Sequence, residues 1–155
     1  MKAIGRDIME ILAVQASLSP RRRQHLNLHT SHADPCQRFI NFLWHDSYIR
    51  PHRHTIDPKP ETLIALRGVF GCIAFNEQGN VMRLERLSAG SSCPVVVIEP
   101  TEWHTVVALS ETAALLETKA GPFDPAIAKE FAPWATPELD DNSRNYLNNL
   151  QDLFT

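Results

Sequence analysis

The sequence has no Cys-x-x-Cys pair, no apolar run near the roughly 18–20 residues of a membrane span, and no basic excess. Each absence removes a class of protein. The three cysteines, Cys36, Cys72 and Cys93, are odd in number and share no paired spacing, so a disulfide framework is not indicated. Cys72 lies in a strand-like run and reads as core, whereas Cys36 and Cys93 stand beside prolines and read as more exposed. The N-terminus carries acidic residues and no h-region, so no secretory signal is expected, and a cytoplasmic protein with reduced thiols is. With 15 Lys and Arg against 18 Asp and Glu, the formal charge is −3, which argues against nucleic-acid binding. Arg21-Arg22-Arg23 is the one basic run and reads as a solvated face. No internal repeat or low-complexity tract is visible.

What is present fits one domain spanning residues 1–155, a length that can bury about 70% of the unfolded surface. Ile4, Ile8, Ile11 and Leu12 share one helical face, which predicts a helix over about 2–18, ended by Ser19-Pro20. A polar, His- and Arg-rich stretch runs on to Asp34-Pro35. From Cys36 the texture is β: Phe39–Trp44, Tyr48–His54, Thr62–Leu66, Val69–Phe75, Val81–Leu87, Pro94–Ile98, His104–Leu109 and Thr112–Lys119 are short apolar or alternating runs. Asn76-Glu-Gln-Gly-Asn80 is a hairpin signal. Short strands at even spacing predict an all-β core over about 36–120, a sandwich or barrel. Beyond Gly121-Pro122 the chain is irregular and Pro-rich. A second helix is expected from about Pro137 to Phe154, capped by Thr136. The helices are expected to flank the β core, or one of them to pack on a second copy in a homodimer.

Inside this pattern stand His52 and His54, then Glu61, then His104. Residues i and i+2 of a strand face the same side, roughly 7 Å apart, so both rings can lean onto one ion. Three imidazoles and a carboxylate form a borderline N/O set for one divalent transition metal, with Fe, Mn, Ni, Co and Zn all suited. Four protein ligands on an octahedral ion leave two positions for substrate or water, which permits Lewis-acid or O₂ chemistry. His25, His29, His32 and His45 fit no such pattern and read as surface or hydrogen-bonded residues.

Strand parity adds a second set. Tyr48 and Arg50 share the face of His52 and His54, so both are expected to point inward as substrate-binding residues. An inward guanidinium would meet a carboxylate or phosphate of a small anionic ligand, or an inward acid such as Glu117. Arg53 should face the other side, and Trp103, next to a ligand, should point away from the metal.

The spacing His52-x-His54, Glu61 and Gly68, followed by Pro100-x-x-Trp103-His104, resembles the two motifs of the cupin superfamily. Six residues separate His54 from Glu61, more than the usual three or four, and include Pro58 and Pro60. Further blocks narrow the resemblance: Asn27-Leu-His29, Asp34-Pro-Cys-Gln-Arg38, Tyr48-Ile-Arg-Pro-His-Arg-His54, Lys59-Pro-Glu61, Trp103-His-Thr105, Gly121-Pro122 and Glu130-Phe-Ala-Pro-Trp134. Together these are similar to the WbuC family of cupin-fold metalloproteins. The resemblance implies a single-domain cupin, a double-stranded β-helix or jelly-roll barrel with helices at both ends, and a metal held by His52, His54, Glu61 and His104. It also implies a link to lipopolysaccharide or other surface polysaccharide synthesis. It implies no settled reaction, so three readings stand: a metalloenzyme with isomerase- or epimerase-like Lewis-acid chemistry on a sugar-derived or anionic substrate, a non-haem Fe(II) dioxygenase, or a non-catalytic metal-dependent binding module.

Overall fold

The computed structural model describes residues Met1–Thr155. Helix α1 (Arg6–Leu18) precedes ten strands: β1 (Arg23–Asn27), β2 (Cys36–Trp44), β3 (His52–Arg53), β4 (Glu61–Arg67), β5 (Val69–Phe75), β6 (Val81–Ser88), β7 (Val95–Ile98), β8 (Trp103–Ala108), β9 (Thr112–Ala120) and β10 (Glu130–Phe131). Helix α2 (Ser143–Asp152) closes the chain. The strands form two five-stranded sheets, ordered β1-β2-β9-β4-β7 and β10-β3-β8-β5-β6. All pairings are antiparallel. This is the expected jelly-roll β core with a helix at each end.

Period-two alternation divides each strand between two environments. On β2, Ile40 and Phe42 turn outward and join Leu12 and Ala16 of α1, together with Ala114 of β9. Ile4, Ile8 and Leu12 of the apolar stripe read on the first helix are thus used against the outer face of the first sheet, whereas Ile11 is 53% exposed and stands off it. On β8, Trp103 and Val107 turn outward and pack with Ile73, Phe75, Leu147 and Leu150, so α2 covers the second sheet. Trp103 therefore points away from the candidate metal ligands, as expected. Between the sheets, Leu43, Leu63, Phe70, Leu87, Val106 and Leu115 form the interior core. The inward residues of β2 change character along the strand: Gln37, Phe39 and Asn41 line a cavity, and Leu43 belongs to the core. One end of the barrel is dry and the other is polar.

Three elements depart from the sequence reading. The polar stretch before residue 36 contains β1, which pairs with β2 from Arg23↔Leu43 to Asn27↔Phe39. The strand expected over Tyr48–His54 is reduced to His52–Arg53, because Pro51 has no N–H to give to a ladder. The last helix starts at Ser143, with Asn142 at its N-cap and not Thr136. The residues between form a segment that crosses the cavity end. It is tied down by β10 pairing with β3 and by a buried ion pair from Arg23 to Glu138 at 2.7 Å.

Arg53 faces outward, as parity predicts, and holds β10: it donates to both Glu130 carboxylate oxygens at 2.9 Å and lies over the Trp103 ring at 4.1 Å. Hydrogen bonds from Arg53 and then from Thr55 push the Glu130 carboxyl down to about 2. A depressed carboxyl stabilises the fold above its unfolded value, and that contribution is lost as pH falls toward the folded value. Glu130→Gln should therefore lower the thermal midpoint at pH 7, with the gap from wild type closing between about pH 4.5 and pH 2. A gap independent of pH would show that the carboxylate charge is not what Arg53 uses. At the β4–β5 turn, Gly68 has φ +69°, and a Cβ there would run into Thr112 O and Ser110 Oγ. Gly68→Ala combines strain with a backbone clash and should cost about 1–3 kcal/mol in denaturant unfolding.

Candidate metal centre

His52 and His104 face each other across the β3–β8 pair, His54 follows β3 directly, and Glu61 opens β4 in the other sheet. All four side chains are buried, between 2% and 4% exposed. One ligand atom from each lies within 4.8 Å of those of the others, close to twice a metal–ligand bond of roughly 2.0–2.2 Å. The longer loop before Glu61 does not carry it away: β4 pairs with β7, Glu61 opposite Ile98, and that register turns the carboxylate into the barrel.

The rings are fixed by a repeated device. Nδ1 of His52 lies 2.9 Å from Arg50 O, Nδ1 of His104 lies 2.9 Å from Glu102 O, and Nδ1 of His54 lies 2.5 Å from Ala128 O. A carbonyl can only accept, so Nδ1 carries the proton in each ring and Nε2 keeps a lone pair. Two of those lone pairs face Glu61: His54 Nε2 is 3.1 Å from Oε1, and His104 Nε2 is 3.5 Å from Oε2. An unprotonated nitrogen facing a carboxylate oxygen is a repulsive pair unless a cation sits between them. His54 Nε2 is buried with no hydrogen-bond partner, an orphaned acceptor of the kind a metal ion would satisfy. A proton is a poorer answer at His52, where burial first and the charges of Lys129 and His104 next push the ring well below its ordinary value. The donor set and the orphaned atom both fit a divalent transition metal.

Lys119 Nζ donates to Glu61 Oε1 at 2.7 Å and stands 3.7 Å from Glu117 Oε1. Burial alone would raise the Glu61 carboxyl, but the Lys119 charge beside it works the other way and favours the carboxylate. Glu117 moves the other way, up to about 8, through burial first and then the charge of Glu61.

Above these groups a cavity of about 320 Å³ opens. His52, Glu61 and His104 form its floor. Its walls include Arg23, His25 and Asn27 of β1, Gln37 and Asn41 of β2, and Glu117 and Lys119 of β9. Lys129, Phe131 and Glu138 reach it from the crossing segment.

Arg50 and Tyr48, read from parity as the ligand-binding pair, are placed elsewhere. The Tyr48 hydroxyl donates to Thr136 O at 2.7 Å, and its ring packs with the α2 cluster. The Arg50 guanidinium donates to Ala132 O at 2.7 Å and lies over Phe131 at 5.4 Å, and neither residue lines the cavity. Parity fails because residues 48–51 are not in a ladder. The cation beside the inward acid Glu117 is thus Lys119, not Arg50. His25, His29 and His32, read as surface or hydrogen-bonded residues, line the cavity, and His29 does make such a bond, accepting from Arg38 N at 3.0 Å. Burial, then the charges of Lys129, Arg23 and Arg21, push His25 down to about 4, which leaves it neutral at pH 7. Their signal lay in β1, whose inward residues are polar, so the usual apolar-in pattern was absent.

Lys119→Met leaves Glu61 and Glu117 buried without their cation. It should cost about 3 kcal/mol in urea unfolding of chelator-treated protein. Added Zn²⁺ should narrow that gap, because a cation returns beside Glu61. No loss in the metal-free protein would show that the 2.7 Å contact contributes nothing.

The protein was compared with known families and structures. No curated protein matches the sequence. Among solved structures the chain is similar to protein SO0799 from Shewanella oneidensis, with a TM-score of 0.56 and 8% identity over 69% of this chain and 72% of that one. It is similar to oxalate decarboxylase from Bacillus subtilis, with a TM-score of 0.54 and 14% identity over 70% of this chain and 27% of that one. It is also similar to an HTH_3 family transcriptional regulator from Vibrio cholerae, with a TM-score of 0.52 and 16% identity over 74% of this chain and 60% of that one. At these identities the likeness is one of fold, the cupin-type jelly roll, and the chain spans about a quarter of the decarboxylase. No helix is long and apolar enough to cross a membrane. The profile of DUF6016, a domain of unknown function, matches residues 4–87, just over half of the sequence, and the chain belongs to that family.

Proposed function

We propose that this protein is a metal-dependent cupin that acts on a small polar, sugar-derived or anionic substrate. Isomerase- or epimerase-like Lewis-acid chemistry is the reaction class. The observation that carries the reading is the cluster of three Nδ1-anchored imidazoles and one buried carboxylate, with the free Nε2 atoms of His54 and His104 facing that carboxylate. His52, His54, Glu61 and His104 would hold the ion. Once bound, a divalent metal supplies Lewis acidity toward a carbonyl or hydroxyl oxygen.

The chain's own groups do the rest. Lys119 holds the Glu61 carboxylate in place from outside the ligand set, at 2.7 Å. Asn27, Gln37 and the neutral His25 offer donors and acceptors of the kind that bind hydroxyl groups. Phe39, Leu63 and Val106 give the cavity apolar patches that exclude water. The similarity to the WbuC family supports placing the reaction near surface polysaccharide synthesis. The three free thiols, Cys36 exposed, Cys93 half-buried and Cys72 buried, support a reducing, cytoplasmic setting.

Elemental analysis of protein purified without chelator tests the reading. About one transition metal per chain is expected, with loss in His52→Ala and in His104→Ala, because removing one of four ligands opens the shell. Full occupancy in a His52→Ala/His54→Ala double variant would contradict it. Glu61→Gln decides between four protein ligands and three: unchanged metal content and spectrum would leave the histidines as the whole set.

A further inference from the structure

The cavity carries more positive charge than its own carboxylates match. Four cations line it, Arg21, Arg23, Lys119 and Lys129. Arg23 is paired with Glu138, and Lys119 with Glu61 and Glu117. The remaining two side chains, Lys129 and Arg21, have no ion-pair or hydrogen-bond partner in the chain. Lys129 sits on the crossing segment, one residue after the Ala128 carbonyl that anchors His54 and two before Phe131, whose ring is 6.4 Å from that of His52. Lys129 and Arg21 are both exposed and stand at the rim of the cavity.

A second observation points to the ligand independently. Asn41 is 4% exposed and lines the same cavity, opposite His25 in the β1–β2 register, and its buried Oδ1 accepts no well-formed hydrogen bond from that ring or any other group. A buried amide oxygen in that state is better satisfied by a ligand that supplies a donor. An anion with no O–H or N–H cannot supply it. Oδ1 wants a hydroxyl or N–H.

We propose that Lys129, with Arg21, forms an anion subsite separate from the metal centre, and that the ligand is a hydroxylated carboxylate or phosphate. Its anionic group lies under Lys129, a hydroxyl donates to Asn41 Oδ1, and the remainder reaches the floor of His52, Glu61 and His104. This rests on the cavity reading above and replaces Arg50 as the anion-binding residue. The charge tally favours the same ligand: a divalent ion on the floor makes the cavity more positive still. A neutral polyol would leave Lys129 and Arg21 with water alone, and an anion without a hydroxyl, such as sulfate, would leave Asn41 Oδ1 unmatched.

Calorimetric titration of the metal-loaded protein tests this with four probes: D-gluconate, D-glucose 6-phosphate, D-glucose and sulfate. Gluconate or glucose 6-phosphate should bind with Kd on the order of 1 mM or tighter, and at least about tenfold more tightly than glucose or sulfate. The preferred acid tells carboxylate from phosphate. Lys129→Met should weaken the preferred probe about tenfold or more, while metal content by elemental analysis stays at the wild-type level. Asn41→Leu should weaken it too and leave the weak binding of sulfate unchanged. Glucose binding as well as gluconate and glucose 6-phosphate, no detectable binding of either acid, or unchanged affinity in Lys129→Met would overturn the subsite. The two readings separate cleanly. Lys129-dependent binding by a protein that holds no metal would keep the subsite and remove the metal reading. Lys129-independent binding by a metal-loaded protein would do the reverse.

Discussion

Three hydrogen bonds from imidazole Nδ1 to backbone carbonyls decide what this cavity can be. They set the tautomer of His52, His54 and His104 and so leave an acceptor lone pair on every Nε2. A barrel interior that collects three such acceptors around a carboxylate is not self-sufficient. Something positive must enter for the buried atoms to be satisfied. Two of the three carbonyls lie two residues before the ring they anchor, so the local strand geometry is enough. The third comes from Ala128, far along the chain, and makes the crossing segment part of the site.

That dependence explains the way the barrel is divided. Its dry end, around Leu43, Phe70 and Leu115, supplies the apolar burial that stabilises the domain. The polar end is lined by charged and amide side chains that fold into ion pairs among themselves: Arg23 with Glu138, and Lys119 with Glu61. Such pairs add little net stability when buried. Their effect here is to hold groups in place. Outside, α1 covers part of the first sheet and α2 part of the second, while apolar residues of β6 and β7 such as Met82 and Val97 stay exposed.

How far the sequence revealed this depended on what each residue packs against. The apolar stripe of α1 and the alternation of β4, β5 and β8 were legible because one face of each is buried in hydrocarbon. Gly68 stood out as a turn residue and has the positive φ that requires glycine. His52, His54 and His104 were visible as a pattern, and the structure brings them together with Glu61. Arg50 and Tyr48 were misplaced because period-two reasoning was carried through Pro51, where no ladder exists. β1 was invisible because Arg23, His25 and Asn27 face a polar cavity, which inverts the pattern by which strands are found. Ala128 O could not have been inferred at all, since a backbone carbonyl carries no sequence signal. Lys129 lay beside the block Glu130-Phe-Ala-Pro-Trp134, but nothing local distinguished it from a solvated lysine.

The central claim is that the three Nε2 atoms and the Glu61 carboxylate bind one ion together. X-ray absorption at the edge of the co-purified metal measures that shell directly. The account predicts nitrogen and oxygen donors at roughly 2.0–2.2 Å, with outer-shell scattering from three imidazole rings. A shell containing sulfur, or one with no imidazole scattering, would contradict it.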